Sequence, residues 1–277
     1  MTTDLKQEAR SHLSRRDLVA VLGAVAAGLP ASETAMAQGS SSHEIHAMPA
    51  HWVGKEEIAL LIYPGFTALD MMGPHYMFAS LMGASVHIVA KTLDPVKSDQ
   101  GMHIVPSHSF ESCPRDLDIL FAPGGSSGTL AAMQDASTIA FLGDRGARAK
   151  LVTSVCTGSL LLGAAGLLRG YRATSHWVAR DLLREFGAEP VDQRVVADRN
   201  RITGAGVTAG LDFGLTIVSK LRDEKYAKGV QLLAEYQPDP PFDAGSPGRA
   251  GREVTNLIAG MFTSFDSNVR ALARRDR

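Results

Sequence analysis

The chain has 277 residues, 45% of them apolar and 21% charged, with 28 basic against 29 acidic residues for a net charge of −1. It is too apolar for a disordered protein and lacks the basic excess that a nucleic-acid binder needs. Two cysteines exclude a disulfide scaffold and a four-thiolate zinc site.

The N-terminus reads as an export signal. Ser14-Arg15-Arg16 precedes an apolar run over 18–29, too short to span a bilayer, and Ala35-Met36-Ala37 is a small-x-small cleavage signature. Residues 1–37 are expected to be a twin-arginine signal peptide. The protein would then fold before export to the periplasm, without stable membrane insertion of the mature chain. Residues 38–54, rich in Ser, His and Ala, are expected to be a flexible lead-in. His43, His46 and His51 have no acidic or thiol companions there and read as solvated rather than metal-binding.

The span 55–237 alternates short apolar runs with helical periodicity. Residues 58–63 form a continuous apolar run ended by Pro64-Gly65, as for a strand buried on both faces. Further strands are predicted over 85–90, 117–122 and 151–155, and a hairpin pairs 195–197 with 201–203 across Asp198-Arg199-Asn200. Helices are predicted over 70–82, 129–150, 158–168, 177–186 and 206–221. Such alternation implies an α/β fold, a mostly parallel sheet covered on both faces. The tail, 238–277, differs. Residues 238–251 (PDPPFDAGSPGRAG) are expected to be an extended loop. Beyond it Val254, Leu257, Ile258, Met261, Phe262, Phe265, Val269 and Leu272 recur every three or four residues and predict one amphipathic helix. That helix either packs on its own domain or helps form a dimer.

The most informative stretch runs from Lys150 to Ser159. A buried strand ends at Val155, a helix starts near Gly158, and Cys156 sits on the turn between them. A side chain there projects above the carboxyl end of the sheet, where open α/β folds bind ligands. The helix N-terminus offers unpaired N–H groups and partial positive charge, which favours a thiolate and predicts a lowered pKa. Gly158 spares the turn a Cβ clash. Cys113, in Glu111-Ser112-Cys113-Pro114, lacks such a setting and reads as structural. Asp70 follows the Pro64-Gly65 turn and belongs to the same sheet edge, where it could hold a thiol proton, position water, or merely cap its helix. No dinucleotide-binding, phosphate-loop or zinc-protease motif occurs.

The elbow SVCTGSL at 154–160, the turn Pro123-Gly124-Gly125 and the strand order resemble the ThiJ/PfpI superfamily, a flavodoxin-like sandwich with a nucleophile-elbow cysteine. YPGFTALDMMGPH at 63–75 and PPFDAGSP at 240–247 narrow the resemblance to its isonitrile hydratase branch. It implies a cofactor-independent enzyme, a homodimer, and catalysis by Cys156, Asp70 and Thr157. It also implies backbone N–H groups of Gly125 and Thr157, beside Gly124, gathered as an oxyanion hole. His176 lies where several relatives carry a histidine near the thiol, and is either a partner of Cys156 or structural. Members of that branch are mostly leaderless and cytoplasmic, so an export signal here is a departure.

The implied reaction hydrates an isonitrile to an N-substituted formamide, with water and a small isonitrile as the only partners. Either the Cys156 thiolate attacks the terminal carbon and Asp70 activates water, or Asp70 directs water while Cys156 manages the proton. Two other activities use the same thiol: glyoxalase or deglycase turnover of reactive aldehydes, and redox sensing by cysteine oxidation. A regulator carrying this domain ahead of a helix-turn-helix is disfavoured, since about 25 residues follow the 238–251 loop.

Overall fold

The computed structural model describes residues 48–275, so the predicted twin-arginine leader and most of the lead-in lie outside the described residues. Strands β1 (Glu57–Leu61), β2 (Ser85–Ala90), β3 (His108–Ser109), β4 (Ile119–Ala122), β5 (Leu151–Val155), β6 (Val195–Asp198) and β7 (Arg201–Gly204) form one sheet in the order β6-β7-β5-β4-β1-β2-β3. Every neighbouring pair is parallel except the β6–β7 hairpin. In β4 and β5 every residue is buried, as in central strands; β4 is apolar throughout, while β5 also buries Thr153, whose hydroxyl donates to the Leu120 carbonyl at 2.9 Å, and Ser154. This is the mostly parallel flavodoxin-like α/β architecture expected from the sequence.

Helices α1 (Ala68–Ala79), α2 (Ser126–Gln134), α3 (Ala136–Arg148), α4 (Gly158–Ala164), α5 (Ala209–Leu221), α6 (Glu224–Leu233), α7 (Pro247–Ala250), α8 (Arg252–Met261) and α9 (Thr263–Arg275) flank it. α1 packs on α5 and α5 on α6, while α2 packs on α3, α4 and α9.

Local chemistry explains where the elements depart from expectation. The helix foreseen over 129–150 is two helices, because Asp135 leaves helical geometry (ψ 103°) and its carboxylate accepts from the Thr138 hydroxyl (2.7 Å) and the Lys91 ammonium (2.9 Å). Such a side chain competes with the helical backbone. The helix foreseen over 177–186 is a 3-10 helix, Arg180–Phe186. The loop over 238–251 contains the one-turn α7, with Pro247 at its start, where the missing N–H costs nothing. The single tail helix is broken at Phe262 into α8 and α9.

Those two halves behave differently. α9 buries Phe265, Val269 and Ala273 against its own domain, whereas α8 buries no residue and leaves Leu257 and Met261 exposed. The end of the lead-in is also held in place. His51 Nε2 and Trp52 Nε1 meet the Asp223 carboxylate at 2.6 and 2.7 Å, and Trp52 stands edge-on to Tyr226. Arg222, beside them, forms a two-pronged ion pair with Glu56 at 2.6 and 2.8 Å.

Candidate active site

β1 lies centrally, with β2 on one side and β4 and β5 on the other, so the chain reverses its direction of winding between β1 and β4. Loops at such a point part and leave a crevice at the carboxyl ends of the strands. Asp70 follows β1, Gly124 and Gly125 follow β4, and Cys156 follows β5.

Cys156 occupies the left-handed region at φ 58°, a conformation costing a non-glycine residue about 1–3 kcal/mol. Four hydrogen bonds hold it there. Its N–H is shared between the carbonyls of Gly204 (3.2 Å) and Ala205 (2.7 Å). Its carbonyl accepts from the hydroxyls of Ser159 (3.1 Å) and Ser175 (3.0 Å). Gly158 is required next, because a Cβ there would collide with the carbonyls of Ala122 and Pro123. The elbow read from the sequence is therefore present and over-determined.

Asp70 lies in the first turn of α1 and is fully buried; Thr67, not Asp70, is the N-cap. Its Oδ2 accepts the Gly124 N–H at 2.9 Å, while Oδ1 carries no hydrogen bond. A side chain on Gly124 would lie 2.6 Å from Thr157 N and Oγ1 and 2.8 Å from Asp70 Oδ2, so only glycine lets these groups meet. Burial raises the Asp70 carboxyl to about 7, against the opposing pull of the Gly124 N–H and the Cys156 thiol. Burial first, and the charge of Asp70 second, push the Cys156 thiol well up; the Thr157 N–H and, less, its nearby hydroxyl oppose them. The thiolate expected from the helix N-terminus is thus corrected: α4 is two turns long, and desolvation outweighs its dipole.

Thr157 is the first residue before α4 but its hydroxyl makes no capping bond. Instead Thr157 Oγ1 accepts the Gly125 N–H at 3.0 Å and meets the Thr129 hydroxyl at 2.9 Å. This also narrows the expected oxyanion hole to its other donor, the Thr157 N–H, which hydrogen-bonds the Cys156 sulfur. The Gly125 N–H is committed to Thr157 and the Gly124 N–H to Asp70, so neither is a free donor near the sulfur.

His176 packs beside Gly206, in the loop after β7, and does not join the carboxyl–thiol pair. Its ring packs on Phe262 at 6.1 Å, its Nδ1 accepts from Val178 N at 3.4 Å, and burial alone lowers its pKa. Cys113 is held elsewhere, its thiol donating to the Pro114 carbonyl at 3.5 Å.

Sequence reading missed Tyr63, Thr129, Ser159 and Ser175. Ser159, inside the elbow motif, and Tyr63, at the end of the β1 run, were accessible to it. Thr129 and Ser175 carry no local signal, since only the packing of α2 and of the segment before the 3-10 helix brings them in.

An open, mostly parallel sheet with a left-handed cysteine at the strand-helix elbow and a buried carboxyl against it defines a nucleophile-elbow α/β protein. The chain belongs to the DJ-1/PfpI family, whose profile matches residues 56–220. It is 48% identical over 200 residues to isonitrile hydratase of Pseudomonas putida, covering 72% of this chain and 87% of that one. The solved structure of a ThiJ/PfpI family protein from Pseudomonas syringae shares 59% identity and superposes with a TM-score of 0.81, over 86% of this chain and 97% of that one. Drosophila melanogaster DJ-1beta, 20% identical with a TM-score of 0.61 over 67% of this chain and all of that one, shares the fold.

Proposed function

We propose that this enzyme hydrates an isonitrile to an N-substituted formamide through Cys156 and Asp70. The observation that carries the reading is the buried Asp70 carboxyl, titrating at about 7, set against the elbow thiol in a chain 48% identical to isonitrile hydratase. Between that pH and the much higher titration of the thiol, the pair holds one proton, and its titrations belong to the pair rather than to either residue.

That one proton suffices for the cycle. The Asp70 carboxylate draws the proton from Cys156 and passes it to the terminal carbon of the isonitrile as the sulfur adds to that carbon. One C–S and one C–H bond form, leaving a thioimidate and an Asp70 carboxylate. Water then adds its oxygen to the same carbon and its proton returns to Asp70. The C–S bond breaks, and the released imidic acid tautomerises to the formamide. Thr157 accepts a hydrogen bond from the attacking water. His176, whose ring stacks on Phe262, is assigned to contact the substrate's side group. No step develops a full oxyanion, which suits a site whose Gly124 and Gly125 N–H groups are already committed.

The decisive assay is formamide production from cyclohexyl isocyanide by the wild type, Cys156→Ala and Asp70→Asn. Turnover in the wild type alone supports the reading. Absence of turnover in folded wild type, with consumption of methylglyoxal or stoichiometric Cys156 oxidation instead, replaces it with aldehyde chemistry or redox sensing.

Two further proposals concern the whole chain. A homodimer is supported by the uncovered apolar side chains of α8 and by Phe242, 78% exposed; light scattering of the wild type and Leu257→Asp/Met261→Asp checks it. Export is supported by Arg15-Arg16, the apolar run and Ala35-Met36-Ala37; replacing both arginines with lysine should retain the protein in the cytoplasm.

A further inference from the structure

Beneath the carboxyl–thiol pair three hydroxyls run in line and end on a carbonyl. Thr157 Oγ1 lies 2.9 Å from Thr129 Oγ1, which lies 3.1 Å from the Tyr63 hydroxyl, which donates to the Pro123 carbonyl at 2.8 Å. The three residues are 3%, 0% and 4% exposed, so bulk water does not compete for these bonds. The Gly125 N–H also donates to Thr157 Oγ1, at 3.0 Å.

Proton counting leaves one arrangement. A hydroxyl has one proton to donate, and a carbonyl has none. The Pro123 oxygen can only accept, so it takes the Tyr63 proton, which burial keeps on the phenol. Tyr63 must then accept from Thr129, and Thr129 from Thr157. The Thr157 proton therefore points away from the sulfur. With the Gly125 N–H on one lone pair, Thr157 Oγ1 has a single lone pair left for the site.

We propose that Thr129 and Tyr63 are positioning residues that set the direction of the Thr157 hydroxyl, making it an acceptor toward the attacking water and denying it the role of donor to a thiolate. This rests on the assignment of Cys156, Asp70 and Thr157 to the hydration site. It has a chemical consequence. Without a Thr157 proton to stabilise its charge, the sulfur keeps its own proton until Asp70 takes it, so nucleophile formation stays coupled to the carboxyl that must next protonate the carbon. The groups that bear on the thiol's protonation are Asp70 from α1 and the Thr157 N–H and hydroxyl from the elbow, the hydroxyl lying within reach of the sulfur and able to lower the thiol only as a donor; Asp99 acts on Asp70 and Tyr63.

The test is the pH profile of Cys156 alkylation by iodoacetamide, followed by peptide mass spectrometry, beside turnover of cyclohexyl isocyanide. Thr129→Val removes the acceptor, so the Thr157 proton swings to the sulfur and stabilises the thiolate. The alkylation midpoint should fall by about one pH unit, and alkylation below it should run about tenfold faster. Turnover should fall about tenfold in kcat with KM little changed. Thr129→Ser should restore both. Tyr63→Phe gives an independent reading if Thr129→Val does not fold. There Thr129 loses its acceptor, donates to Thr157 instead, and produces the same downward shift. A folded Thr129→Val or Tyr63→Phe protein whose profile superimposes on the wild type overturns the proposal. So does an upward shift, which means that Thr157 already donates to the sulfur. Alkylation needs no isonitrile, so a shifted profile in a protein that hydrates none sinks the substrate assignment and leaves the relay standing. Normal hydration with unshifted profiles sinks the relay alone.

Discussion

Cys113 and Cys156 are hidden almost equally, 3% and 6% exposed, and burial raises both thiols. Their surroundings differ. Cys113 has ordinary backbone geometry, its N–H donates to the Ser109 carbonyl at 3.0 Å, and its own carbonyl accepts from Arg145 Nη2 at 3.1 Å. Its N–H, carbonyl and thiol are all hydrogen-bonded, and the charged group beside it is the Arg145 guanidinium rather than a carboxyl. Cys156 is held at φ 58° by two hydroxyls and two carbonyls, against a carboxyl whose Oδ1 has no hydrogen bond. Burial alone thus makes an inert thiol. What distinguishes the second site is a strained backbone paired with an unsatisfied acid, both of which reduce stability and persist only because the surrounding structure enforces them.

The comparison breaks first at Cys156 itself. Cys156→Ala should cut hydratase kcat/KM by about 10⁴-fold or more, as loss of a nucleophile does elsewhere. Asp70→Asn should cost about 10³-fold, in the range for a general acid–base. It should also expose the cost of burying the carboxyl. Folding raises Asp70 from 3.8 to about 7, so the native state holds this proton more tightly than the unfolded chain. Its contribution to stability is full below pH 3.8 and is lost as pH rises to about 7. Denaturant unfolding should therefore find Asp70→Asn more stable than wild type by about 2 kcal/mol at pH 8, with the gap closing toward pH 4. Wild-type kcat/KM should rise through about pH 7 as the pair passes from two protons to one.

Smaller effects sharpen the contrast. Gly158→Ala forces a Cβ onto two carbonyls and should destabilise the fold by about 3 kcal/mol, read as a lowered urea midpoint. Ser175→Ala leaves Ser159 as the only hydroxyl on the Cys156 carbonyl and should lower kcat about tenfold, with stability changed by about 1 kcal/mol. Cys113→Ala should be the mildest. It should cost about 1–2 kcal/mol of stability, as a small cavity does, and alter kcat less than twofold. A large loss of turnover in Cys113→Ala would dissolve the distinction between the two thiols.

Much of this organisation is written locally. The continuous apolar run over 58–63 declares a strand covered on both faces and hence a parallel sheet, and the strand ending at Val155 is buried throughout even though it carries Thr153 and Ser154. Cys156 before Thr157-Gly158 declares an elbow because a strand-to-helix turn that sharp needs a glycine next to it. Asp70 after Pro64-Gly65 was placed at the right edge by the same logic. The break at Asp135 and the division of the tail at Phe262 were not legible, since helical periodicity continues through both while side-chain competition and packing interrupt it. The titration of Cys156 is not legible either, because a helix dipole is visible in sequence and desolvation is not.

The sequence by itself therefore determined the sheet and the elbow with its cysteine, which follow from periodicity and residue chemistry within a few positions along the chain, while the choice of Asp70 as the acid rests on the family resemblance. Tertiary structure alone decided the site's protonation: that the Gly124 and Gly125 N–H groups are spent on Asp70 and Thr157, that His176 packs on Phe262, and that Thr129 and Tyr63 stand behind Thr157. Those contacts join residues far apart in the chain, and a proton's position depends on the last donor and acceptor in each buried line of hydrogen bonds, which no local pattern records.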